Sequence, residues 1–190
     1  MKKVIFSIAF SIAACSLYAQ SSGPAVSHKE MRKERHAQKI TLKALEGKEV
    51  STFSQQQFAV DFGNVPDVAW TRDAYFDKAT FINAKGMEMS AFYDVDGQLV
   101  GTTSSATFND LPAAGQAEIR KHFTNYQQAP VIFYDDNEDN ETDMILYGMQ
   151  FDDADNYFIE LVDKKGRPAA YKVDLSGNVS FFADMSHLKY

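Results

Sequence analysis

From Phe81 to Gly97 the chain reads FINAKGMEMSAFYDVDG, and 80 residues later, from Leu161 to Gly177, it reads LVDKKGRPAAYKVDLSG. Laid over one another without gaps, the two stretches superimpose Lys85-Gly86 on Lys165-Gly166, Asp94 on Asp174 and Gly97 on Gly177. Glycine at a hairpin turn is common because a positive φ costs it little, so these identities alone decide nothing. Apolar parity decides more. Phe81, Met89, Ala91 and Tyr93 fall on Leu161, Ala169, Tyr171 and Val173, so both stretches read as hairpins that bury the same face.

Upstream of each hairpin lies a helix signal. Thr52-Phe53-Ser54-Gln55 fits a capping box with Thr52 as N-cap, Phe58 and Phe62 share a face with Val65 beyond, and Gly63 and Pro66 supply the stop. In the second half, Asp110 reads as cap with Pro112 in the first turn, and Leu111, Gly115, Ile119, Phe123 and Tyr126 form the inner stripe. Period-two patterning marks the strands: Val68 and Trp70, Ala79 and Phe81, Met87 to Tyr93, and Gln98 to Phe108. In the second half they are Val131 to Tyr134, Met144 to Phe151, Tyr157 to Val162, Arg167 to Val173 and Val179 to Phe182. The expected fold is α+β, with two tandem helix-plus-antiparallel-sheet repeats at 51–108 and 109–185 and a tail at 186–190. One helix on one small sheet is a poor core for so few residues, so the halves are expected to pack together.

Ahead of the repeats, Met1-Lys2-Lys3, the apolar run Val4 to Ala14 and a cleavage site after Ala19 read as a signal peptide over 1–19, too short to span a membrane. Ile12-Ala13-Ala14-Cys15 also fits a lipoprotein box, which leaves open a lipid anchor at Cys15 in place of periplasmic or secreted release. Cys15 is the chain's one cysteine, so disulfide scaffolds, zinc clusters and thiol catalysis have no residues to use beyond it. Residues 20–50, a charged linker and marginal helix, carry seven Lys/Arg against four Glu, whereas 51–190 carry ten against twenty-two Asp/Glu. An acidic exported body argues against nucleic acid as partner.

The helix ending Phe62-Gly63-Asn64-Val65-Pro66-Asp67-Val68-Ala69-Trp70, the strand and turn Ala91 to Gly97, and Asp110-Leu111-Pro112-Ala113-Ala114 before Ile119 and Tyr126 resemble the PepSY-like periplasmic domains. Those domains are related in fold to the β-lactamase inhibitory protein. The resemblance covers Ser51 to Met185 and implies tandem units in a secreted protein; it brings no catalytic residues. The inhibitory protein's contact loops and disulfides have no counterpart here, so β-lactamase inhibition transfers to no residue.

Candidate chemistry is sparse. Asp135, Asp136, Glu138, Asp139, Glu141 and Asp143 place six carboxylates in nine residues. Calcium wants six to eight oxygens, so this loop is a weak candidate metal site, although it lacks the order and mid-loop glycine of an EF-hand and equally describes a solvated hairpin tip. His28, His36, His122 and His187 form no zinc-binding pair, and no nucleophile elbow or phosphate loop occurs. No cofactor is expected. Among fifteen Phe, nine Tyr and one Trp, most read as core; Phe92, Tyr134, Phe181 and Phe182 have the opposite parity or looser strands and read as exposed. The leading reading is a non-enzymatic, inhibitor-like module that binds an envelope or secreted protein or peptide through these four aromatics together with Asp135, Asp136, Glu138, Asp139 and Glu141. A Ca²⁺-binding envelope protein is the alternative, and a hydrolase comes third.

Overall fold

The computed structural model describes residues 42–186. The leader, Cys15, the basic stretch up to Thr41, His28, His36 and His187 lie outside the described residues. Helix α1 (Thr52–Phe62) begins one residue earlier than the capping box predicts, because Ser51 is the N-cap and its Oγ accepts from the Phe53 N–H at 3.1 Å. Ser51 is fixed there from outside the helix: its own N–H donates to Asp77 Oδ2 at 2.9 Å. Gly63, at φ 77, ends the helix with its N–H bonded to Ala59 O.

Four strands follow, β1 (Ala69–Arg72), β2 (Asp77–Ile82), β3 (Glu88–Tyr93) and β4 (Leu99–Ala106). A 3₁₀ turn (Phe108–Asp110) leads to helix α2 (Ala113–His122). Asp110 does not cap α2. Its Oδ2 reaches back to the Thr107 N–H and hydroxyl, both at 2.7 Å, and Pro112 takes the N-cap position instead. The chain continues through β5 (Val131–Asp136), β6 (Met144–Leu146), β7 (Met149–Phe151), β8 (Asn156–Val162), β9 (Pro168–Asp174) and β10 (Val179–Asp184).

Eight of the described strands form one sheet in the order β1-β2-β3-β4-β5-β8-β9-β10, antiparallel at every described pairing. The two described α-helices, α1 and α2, lie on one face. Phe58 of α1 sits in a cluster with Ala79, Phe81, Ala91 and Tyr93, and Ile119 of α2 in one with Val131, Ile159, Leu161 and Val173. The turns of the two hairpins are built alike. Asn83 and Asp163 each accept two backbone N–H groups through Oδ1, at 85 and 87 and at 165 and 167. Asp94 and Asp174 do the same at 96 and 98 and at 176 and 178.

The segment read as one strand from Met144 to Phe151 is a hairpin. Tyr147 at φ 51 and Gly148 at φ 74 make a two-residue turn between β6 and β7. This hairpin covers the sheet face opposite the helices, where Met144 and Phe151 pack with Phe76, Phe92, Val100, Tyr134 and Phe158. That cover corrects the reading of Phe92, Tyr134 and Phe182 as exposed. Phe92 is 7% and Tyr134 0% accessible, and Phe182 is half-buried against Phe151 and Phe158. Their opposite parity points them at a second core rather than at solvent.

Candidate functional site

Between α1 and the acidic loop, on the helix face, lies an open cleft of about 490 Å³. Its floor is apolar, from Phe62, Met89 and Leu99, and its rim carries Asp61 of α1, Asp135 of β5 and Asp139 of the following loop, with Gln57, Gln98 and Asn137 among them. The register explains the convergence. Met89, Thr102 and Asp135 sit on one face because Ala91 pairs with Thr102 and Thr102 with Asp135. Asp61 is held by Gln57 Nε2 at 2.8 Å and by the Tyr93 hydroxyl at 3.2 Å, while burial, then the Asp61 charge, pushes the Tyr93 phenol well up. Asn137 is pinned by its Nδ2 donating to Leu99 O at 2.7 Å. No ion pair among the described residues involves Asp61, Asp135 or Asp139.

The acidic loop does not act as one unit. Asp135 and Asp139 face the cleft, and Glu138 is exposed beside them. Glu141 turns toward a second cavity of about 250 Å³ with Asp94, Asp96, Lys43 and Leu42. Asp143 is buried and accepts from Gln150 Nε2 at 2.6 Å. Among the described residues no three His, Cys, Asp or Glu are grouped as a metal site requires. Of the aromatics, Phe181 is 62% accessible. Asp61 escaped the sequence reading, although its four-residue spacing from Gln57 marks a polar helix face beside Phe62.

Asp136 points to the other face of the sheet. Tyr134 Oη donates to its Oδ1 at 3.0 Å and to Val100 O at 3.3 Å, over Gly101, where a Cβ would stand 2.5 Å from that oxygen. Burial lifts the Asp136 carboxyl to about 6; the Tyr134 hydroxyl opposes the shift, and the Asp153 and Asp155 charges add to it. A folded pKa above the ordinary 3.8 favours the native state while the group is protonated, so this contribution is complete below about pH 4 and lost as the pH rises through about 6. Asp136→Asn, which keeps an acceptor for Tyr134, is expected to be more stable than the unaltered chain at pH 7 by about 2 kcal/mol and equal to it near pH 4. Urea unfolding at the two pH values checks this; parallel pH slopes for both proteins would refute it.

A scan of protein-family models gave no match, and neither did a search of curated protein sequences. Among solved structures, a DUF2874 family protein from Bacteroides ovatus superimposes with a TM-score of 0.56 at 14% identity, over 74% of this chain and 92% of that one. A BLIP-like protein from Bacteroides fragilis gives 0.52 at 14% identity, over 76% and 92%. The fold is BLIP-like. A Bacteroides eggerthii protein provisionally described as periplasmic gives 0.56 at 12% identity, over 73% and 91%. Within this BLIP-like frame no helix of the described residues is long and apolar enough to cross a membrane. Identities this low carry the architecture across, and no residue of the cleft with it.

Proposed function

We propose that this chain is an exported, non-enzymatic binding module, made of two tandem helix-plus-sheet units, that takes a basic segment of a protein partner into the cleft between α1 and β5. The observation that carries the reading is the trio Asp61, Asp135 and Asp139 around an apolar floor, with no described cation paired to any of them. A Lys or Arg side chain lays its methylene stem on apolar surface and its charge against carboxylates, which is what such a cleft offers. The matched turns at Asn83 and Asp163, and at Asp94 and Asp174, support duplication. The signal-peptide pattern of 1–19 and the Bacteroides eggerthii neighbour described as periplasmic support export.

A pull-down from envelope fractions is expected to retain a saturable partner at low ionic strength and release it at about 1 M salt, where the screening length falls to about 3 Å. Neutralising the rim with Asp61→Asn, Asp135→Asn and Asp139→Asn together should weaken that partner at least about tenfold, equivalent to about 1.4 kcal/mol. A partner that binds the neutralised protein equally well, or no partner at all, would remove the cleft from the mechanism.

A further inference from the structure

We infer that β10 is a self-association edge, through which two copies of this chain pair their β10 strands antiparallel and join their sheets into one. This surface lies on the opposite edge from β1 and is independent of the acidic cleft. Strand β10 is the last in the sheet order, so one side of its backbone has no strand of the described residues beside it. The register identifies which groups face outward. The Asp174 N–H donates to Asn178 O, so alternation makes Lys172 and Ser180 the next bonded pair and leaves Val179 and Phe181 with their backbone N–H and C=O turned away from β9.

Two features decide the occupant. Sheet edges are normally blunted by charge, proline or brevity. The β1 edge has all three, with four residues, Arg72 within it and Pro66 just before it. Strand β10 is longer, at six residues, and its one charge is Asp184 at the far end; from Leu175 to Ala183 there is no Asp, Glu, Lys, Arg or Pro. A chain of net charge −7 repels its own copies over most of its surface, whereas the stretch from Leu175 to Ala183 brings no charge to a second copy, and Glu118 at the rim of the adjoining groove is paired with Lys121 and His122. Phe181 is 62% and Leu175 55% accessible, and Phe181 borders a groove of about 330 Å³ shared with Phe123, Tyr171 and Val179. A two-fold axis near Ser180 sets Val179 of each copy opposite Phe181 of the other, on the face that carries the groove. The pairing is isologous and closed, so it yields a dimer rather than a fibre.

Light scattering during gel filtration, on the protein as processed by the producing cell, is expected to give a dimer mass at about 100 μM and a shift toward monomer on dilution to about 1 μM. Phe181→Lys should be monomeric throughout. Ser180→Lys, at an exposed position that the axis brings against itself, should behave the same way and guards against a folding defect at Phe181. A native chain that is monomeric across the range, or a dimer untouched by either lysine, would overturn the proposal.

Discussion

Asp77→Ala is expected to lower the stability of the fold by about 3–5 kcal/mol, the usual penalty for stranding one partner of a buried ion pair. Asp77 is 0% accessible and accepts from Ser51 N at 2.9 Å, Ser54 Oγ at 2.8 Å, Arg72 Nε at 2.6 Å and Arg72 Nη2 at 2.8 Å. Removing the carboxylate leaves the Arg72 guanidinium, on a side chain only 9% accessible, holding just its contact to Glu46 O at 2.7 Å. It also frees the N-cap of α1, because Ser51 and the buried Ser54 both lean on the same oxygen. The expected fall in melting temperature is on the order of 10 °C. Asp77→Leu combined with Arg72→Met should recover much of the loss, since apolar pairs of similar volume often replace buried ion pairs at little cost. A single-variant loss below about 1 kcal/mol would show that the pair is solvated in solution.

The same carboxylate sets an acid limit. Burial would raise the Asp77 pKa, but the hydrogen bonds from Arg72, Ser51 and Ser54 outweigh it and hold the group below its ordinary value of 3.8. Its contribution is therefore complete above about pH 4 and lost as the pH falls further, the reverse of the sign at Asp136. Acid unfolding of Asp77→Asn should begin from lower stability and show a shallower slope below that pH.

Period and parity made the main sheet legible. Spacing alone places Phe81, Met89, Ala91 and Tyr93 on one face, and all four join the α1 cluster. Parity says which residues share a face but not what covers it, which is why Phe92 and Tyr134 read as exposed. The cover is the β6–β7 hairpin, and its turn carries only half of the usual signal: Gly148 is in place, but Tyr147 occupies a positive φ where Asn or Asp would announce the turn. Asp77 was silent for another reason. Its partner Ser51 is 26 residues away, and no local pattern encodes that contact. The acidic loop was visible as composition, while its division between two cavities depends on Asp136 turning inward and Asp61 arriving from α1. Charge density marks a segment, and only register assigns its members to faces.

Four hairpin glycines separate backbone strain from packing. Gly86, Gly97, Gly166 and Gly177 all have φ between 71 and 83, so alanine at any of them carries a left-handed penalty of about 1 kcal/mol. At Gly86 and Gly166 a Cβ meets nothing within 4 Å, and the loss should stop there. At Gly97 it would stand 2.8 Å from Phe53 Cβ and 3.1 Å from the Ser54 N of α1; at Gly177, 2.7 Å from the Gly115 N and 2.8 Å from Ala114 Cβ of α2. These are contacts with helix backbone or with atoms fixed to it, so relief requires lifting a helix from the sheet. Overpacking of this kind adds about 1–3 kcal/mol, and Gly97→Ala and Gly177→Ala should each lose about 2–4 kcal/mol in all. Urea midpoints for the four variants give the comparison directly. Equal losses at all four would mean that these turns do not seat the helices; a larger loss at 97 and 177 alone would show that the Asp94 and Asp174 turns are where α1 and α2 rest on the sheet.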